Sequence, residues 1–235
     1  MSNNAVTNTF DSNLGSMNHA WNIQGPSNGA VTLGGGASMM EWATGRDAGH
    51  GYGTYTVTAK VDGNQPGPGI ILWPGDNKWP GQEVDLLEIT PDGSGRQYGT
   101  VHWNNNGQDA YQTVIYEGLS SGQFHDYTLV WEPGKMTFKV DGKTYGSFDQ
   151  HIPTDFDHGG MNNTIGALNN NYNTSLTIAH AEFTPLGSQA AAVQQYVAPQ
   201  AQAAPAPAAA SGPIDWNALA AIATANFEAT GHWFI

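Results

Sequence analysis

The sequence predicts an all-β sandwich, and three observations carry that prediction. Apolar and polar residues alternate with a period of two over short stretches. The alternation is cleanest in GYGTYTVTAKV, where Tyr55, Val57, Ala59 and Val61 share one face and Thr54, Thr56, Thr58 and Lys60 the other. Between such stretches stand clusters of Gly, Pro, Asn and Asp, the residues that tight turns require. No amphipathic helical pattern occurs before residue 212.

Taken in order, residues 1–28 are rich in Asn, Ser and Gly and read as a loose arm, with Phe10 and Trp21 as the points where it packs onto the domain. Short strands are expected at 30–33 and 38–43, with Gly34, Gly35 and Gly36 as the turn between them. The half-buried strand at 51–61 follows, then a loop over 62–69, an apolar strand at 70–74 and an acidic strand at 83–89. PDGSG is a turn into QYGTVHWNNNG, in which Tyr98, Thr100, His102 and Asn104 share a face that reads as cleft, while Val101 and Trp103 point to the core. FHDYTLVWEPGKMTFKVDGKTYGSF reads as antiparallel strands reversed at Pro133-Gly134 and Asp141-Gly142, with Tyr127, Leu129 and Trp131 packed opposite Met136, Phe138 and Val140. SLTIAHAEFTPL closes the domain as a last strand.

Composition excludes several functions. Seven Lys plus Arg stand against twenty Asp plus Glu, a formal net charge of -13 with no basic run, so a phosphate backbone finds no electrostatic footing and nucleic acid is not an expected partner. There is no cysteine, hence no disulfide and no thiolate metal site. No apolar run approaches the length of a membrane span, and residues 1–18 lack the basic start and apolar core of a secretory signal peptide.

The stretch EVDLLEI, residues 83–89, carries the chemistry. In a regular strand Glu83, Asp85, Leu87 and Ile89 would share one face and Val84, Leu86 and Glu88 the other, mixing acids with apolar residues on both sides. A β-bulge at Leu86-Leu87 resolves the conflict: Glu88 rejoins Glu83 and Asp85, and Val84, both leucines and Ile89 are left for the core. Three carboxylates on one face repel one another, so at least one keeps its proton near neutral pH. Glycoside hydrolysis with retention needs that combination, an ionised carboxylate as nucleophile and a protonated carboxyl as general acid about 5 to 5.5 Å away. A solvated acidic strand face is the alternative reading of the same residues.

The longer run GPGIILWPGDNKWPGQEVDLLEI resembles the active-site segment of glycoside hydrolase family 16: an apolar strand ending near Pro74, a loop carrying Trp79-Pro80, then Glu-x-Asp-x-x-Glu in its bulged form. The resemblance extends over residues 8–186 through short ordered matches, and implies a jelly roll of two curved antiparallel sheets with an open cleft. It implies Glu83 as nucleophile, Asp85 as its helper and Glu88 as acid/base, acting on internal β-linkages of a glucan or a bacterial exopolysaccharide. His102 and Asn104 are the next candidates because family members offer polar side chains from the matching strand; His102 is alternatively a hydrogen-bonded structural histidine. Trp73, Trp79 and Tyr98 are candidate sugar-stacking platforms or core aromatics. The sequence departs from the family pattern at Ile71, where Trp is frequent, at Thr56 and Thr58, where Glu and Arg are frequent, and at Thr177. Thr177 stands where many members have an Asp that helps bind calcium, so no cofactor is expected and a structural calcium lacks that ligand.

The expected organisation is a sandwich domain over 1–187, an Ala/Pro/Gln-rich linker over 188–212 and a short helical tail over 213–235, capped at Asp215 and closed near Gly231. The tail reads either as a helix that docks on the sandwich or on another copy, or as a carboxy-terminal export signal of the type I secretion kind. The second reading makes the protein extracellular. The functional expectation is a retaining endo-glycosidase with a polysaccharide substrate. A transglycosylase would use the same residues, and a lectin-like module on the same fold is the non-enzymatic alternative.

Overall fold

The computed structural model describes residues 4–41, 48–119, 121–155 and 162–187. The expected linker and helical tail lie outside them. Among the described residues there is no helix, so none is long and apolar enough to cross a membrane. Thirteen antiparallel strands run β1 Val6–Asn8, β2 His19–Ser27, β3 Ala30–Met40, β4 Gly53–Asp62, β5 Pro68–Pro74, β6 Val84–Ile89, β7 Gln97–Asn105, β8 Gln108–Tyr116, β9 Phe124–Glu132, β10 Lys135–Val140, β11 Lys143–Phe148, β12 Asn163–Asn169 and β13 Ser175–Pro185. Their order is β11-β10-β9-β4-β13-β3-β12-β5-β6-β7-β8, with β1 on β13 and β2 on β3.

Register divides this path into two layers. The first half of β3 pairs with β13 through Leu33↔Leu176 and Val31↔Ile178, whereas its second half pairs with β12 through Met40↔Gly166 and Ser38↔Leu168. One strand therefore passes from the outer layer to the layer that carries the acidic stretch. The expected turn at Gly34, Gly35 and Gly36 is a bend inside this single long strand. Gly36 takes φ +72°, and a side chain on Gly35 would strike the Tyr172 ring at 2.4 Å, so glycine lets β3 change layers without ending.

The amino-terminal segment is more ordered than its composition suggests, contributing β1 and β2 to the sheet. Phe10 is buried as expected, but Trp21 is 62% exposed, because Ala20, paired with Met39, takes the inward position and leaves Trp21 on the opposite face.

The core lies between the layers. Tyr55, Val57, Ala59 and Val61 of β4 are buried as the alternation predicts, and Met136, Phe138 and Val140 lie opposite Trp131, Leu129 and Tyr127 across the β9–β10 hairpin. Across the layers the Tyr127 hydroxyl of β9 donates to Gln97 of β7, and within the active-site layer the Tyr116 hydroxyl of β8 donates to the Leu86 carbonyl of β6 at 2.9 Å. Trp103 corrects the expectation of a core residue. It is part-buried and stacks on His151 at 4.1 Å with nearly parallel rings.

Candidate active site

The bulge exists where the acid pattern demands it. Asp85 lies opposite Thr100 of β7 and Glu88 opposite Tyr98, two positions on, although the acids themselves are three positions apart. On the other side Ile71 meets Asp85 and Ile70 meets Leu87, the same one-residue excess. Val84, Leu86, Leu87 and Ile89 are all buried in the core, and Glu83, Asp85 and Glu88 line one cavity with Ile71, Trp79, Tyr98 and His102. The hydrophobic demand of four apolar side chains thus fixes the face on which three acids stand.

Two anchors hold the start of this strand. The His102 amide donates to the Glu83 carbonyl at 2.9 Å. Asn163, buried in β12, donates through Nδ2 to the carbonyls of Leu72 and Gln82 at 3.0 and 3.1 Å, tying the strand before the active-site loop to the residue before Glu83. Within that loop a side chain on Gly81 would lie 2.0 Å from the Lys78 carbonyl oxygen, so only glycine permits the close approach that brings Trp79 over the cavity.

Electrostatics within the cluster are severe. Asp85 is only 3% exposed; burial and then the Glu88 charge push its carboxyl well above the ordinary range, opposed by a hydrogen bond with Glu83. Glu83 is pushed well above that range by burial, then by Asp85, with His102 opposing. Glu88 is raised by burial, against the influence of His102 and hydrogen bonds from Thr100 and Tyr98. The Thr100 hydroxyl donates to Glu88 Oε2 at 3.2 Å. Burial and mutual repulsion both oppose full ionisation, so the cluster retains protons at higher pH than free carboxyls would.

His102 bridges two acids. Its Nε2 lies 3.2 Å from Asp85 Oδ2, and its Nδ1 lies 3.0 Å from Asp109 Oδ1. Asp109 was not foreseen from the sequence. The signal was the Asn106-Gly107 pair, a two-residue hairpin turn with φ of 56° and 83°. It sets His102 opposite Tyr111 and Asn104 opposite Asp109, so Asp109 comes diagonally beside the imidazole on the cleft face.

The remaining candidates separate. Trp79 lines the carboxyl cavity with its ring 5.5 Å from His102, and Tyr98 lines it beside Glu88. Trp73 is 5% exposed, donates its indole N–H to Asn77 Oδ1 and lies nearly parallel to Trp79 at 6.1 Å. It backs Trp79 instead of presenting a free face to the cleft. Asn104 is drawn away from the carboxyls: Nδ2 donates to the Pro80 carbonyl, Oδ1 accepts from the Gly107 amide, and the residue lines a separate hollow with Trp103 and His151. The Thr177 hydroxyl, at the position the sequence resemblance singled out for calcium, is 3.0 Å from that of Thr32, a neutral pair without the carboxylate oxygens a hard cation prefers. Among the described residues, the cluster able to converge on one ion is Asp85, Glu88 and His102, within the carboxyl site itself.

A β-sandwich that gathers three carboxyls in one aromatic-lined cavity has the groups an O-glycosyl hydrolase needs. Residues 40–179, more than half of the chain, match the family model of glycosyl hydrolases family 16, and the chain belongs to that family. Similar solved structures include a β-glucanase of Bacillus licheniformis, at 16% identity over 78% of this chain and 99% of that one, with a TM-score of 0.55. A β-1,3-1,4-glucanase (lichenase) derived from a mouse hindgut metagenome aligns at 17% identity over 77% of this chain and 99% of that one, TM-score 0.55. The laminarinase catalytic domain from Thermotoga maritima aligns at 17% identity over 70% of this chain and 80% of that one, TM-score 0.51. At these identities the likeness shows a shared fold. Among curated protein sequences none matches this chain.

Proposed function

We propose that this glycoside hydrolase is a retaining endo-glycosidase that cleaves internal β-1,3 or β-1,4 linkages of a glucan or bacterial exopolysaccharide laid across the cleft sheet. The observation that supports this reading most is the bulge-sorted trio, with Glu83 and Glu88 on either side of Asp85 in one cavity. In the reactive form Asp85 keeps a proton and Glu83, beside it in the cavity, is ionised. The Glu83 carboxylate attacks the anomeric carbon while protonated Glu88 gives its proton to the departing glycosidic oxygen. Glu88, now ionised and accepting hydrogen bonds from Thr100 and Tyr98, takes a proton from water. That water displaces Glu83 and restores the starting configuration. Trp79 and Tyr98 serve as stacking surfaces beside the scissile bond.

Reducing-end release from a panel of β-1,3-linked, mixed-linkage and bacterial polysaccharides, comparing the parent with Glu83→Gln and Glu88→Gln, tests this reading. Release by the parent and its loss in both variants is expected. Binding of polymer by all three proteins without release from any of them would overturn it in favour of a lectin-like module. We also propose that the carboxy-terminal segment, ending in His232, Trp233, Phe234 and Ile235, directs export. Culture supernatant should lose the enzyme when residues 213–235 are removed, and undiminished export would refute the idea.

A further inference from the structure

We infer that Trp21 is a distal sugar-binding platform, at which a β-linked polysaccharide chain stacks well away from the bond being cleaved. The inference rests on the glycosidase reading for the identity of the ligand and on the register for the site. Trp21 is 62% exposed and belongs to β2, an edge strand of the cleft layer.

Residues paired across an antiparallel sheet share a face, so each cross-strand row can be followed from one edge to the other. Trp21 is paired with Ser38, Ser38 with Leu168, and Leu168 with Gly69. Leu168 and Gly69 both line the cavity that holds the carboxyls. The adjacent row runs from His19 through Met40, Gly166 and Ile71 to Asp85. The exposed indole therefore stands on the same face as the acids, at the end of a row one register step from theirs. Its neighbour Ala20 faces the core, so the orientation is fixed by packing.

The two rows are built of Ser38, Leu168 and Gly69 and of Met40, Gly166 and Ile71, small and apolar positions of the kind against which the apolar faces of pyranose rings pack. Strands β2 and β6 are separated by four strand spacings, about 19 Å. A glycan needs several pyranose residues to cover that span, so Trp21 stands several residues from the scissile linkage. Tyr111, 63% exposed on β8, marks the opposite edge of the same face, 5.6 Å from His102. An indole left in water on a sheet edge is otherwise a liability for association. Stacking on the apolar face of a sugar gives it a defined use.

The test uses the full chain, Trp21→Ala and Trp21→Phe, with a length series of β-linked oligosaccharides and affinity electrophoresis in gels containing the polymer. For the parent, kcat/KM should rise about tenfold once the oligosaccharide is long enough to reach β2, a stacking-sized increment. Trp21→Ala should lose that increment through KM and lose retardation in the gel, with an unchanged thermal melt; Trp21→Phe should keep most of both. Identical length dependence and retardation in parent and Trp21→Ala would overturn the inference. If the parent cleaves no polymer, the hydrolytic reading fails by itself, and gel retardation alone still decides whether Trp21 binds glycan.

Discussion

Deleting one leucine of the Leu86-Leu87 pair tests whether register, and not sequence spacing, holds the site. After the deletion Asp85 still faces Thr100 and Glu88 still faces Tyr98, because the parent reaches that pairing only by accommodating an extra residue. On the other ladder Leu86 moves opposite Ile70, and that irregularity also disappears. Glu83, Asp85 and Glu88 then alternate regularly with Val84, Leu86 and Ile89. The cost is one fully buried leucine, about 2–5 kcal/mol from large-to-small core substitutions. That corresponds to a fall of roughly 4–20 °C in melting temperature for a domain of this size. Circular dichroism melts and reducing-end assays should show a folded, less stable enzyme at least about tenfold more active than Glu88→Gln, which lacks the acid altogether. Deleting Val84 instead pushes Glu83 onto the core face and should abolish both folding and activity. A folded leucine-deletion variant no more active than Glu88→Gln would refute the register argument.

Three further predictions follow from the same geometry. Burial and repulsion raise Glu83 and Asp85 together, so between the unfolded and folded values the native pair holds protons the unfolded state releases, and stability falls as pH rises through that window. Glu83→Gln should therefore melt at the same temperature as the parent below about pH 4 and above it at neutral pH, by about 1.4 kcal/mol per pH unit of the window; an equal or lower melting temperature at pH 7 would contradict the assignment. Asp109→Asn removes a charge that raises both Glu83 and Asp85 and weakens the hold on His102, so the acid limb of the pH–rate profile should move to lower pH and kcat should fall about tenfold with KM retained. An unshifted limb would reduce Asp109 to a structural residue. Asn163→Ala leaves the Leu72 and Gln82 carbonyls without their donor, which should cost about 1–3 kcal/mol in denaturant unfolding and lower kcat by loosening the residue before Glu83; unchanged stability would refute its anchoring role.

The parts of this architecture legible in the sequence are those set by local pattern. Alternation gave the buried face of β4, and the clash of acids with apolar residues in EVDLLEI required a bulge that both neighbouring strands display. Long-range pairing is what hid the rest. The glycines at 34–36 are turn residues by composition, and only the two different partners of β3 reveal them as a bend between layers. Trp21 looked like an anchor because a tryptophan in a polar arm has few other uses, yet the pairing of Ala20 with Met39 commits the indole to the cleft. Trp73 and Asn104 fall on the correct face of their strands, but Trp79 covers the first and the hairpin turn captures the second. Face is readable from period, whereas what lies above a face depends on loops. Asp109 is an intermediate case, since its approach to His102 follows from the Asn106-Gly107 turn once that turn is recognised.

The most direct test of the central claim is the anomeric configuration of the first product. Proton NMR during cleavage of a β-linked oligosaccharide by the parent should show the β-anomer of the new reducing end appearing first, with the α-anomer growing only as mutarotation proceeds. An α-anomer formed first would mean that water attacks directly with inversion, and would contradict the assignment of Glu83 as a nucleophile.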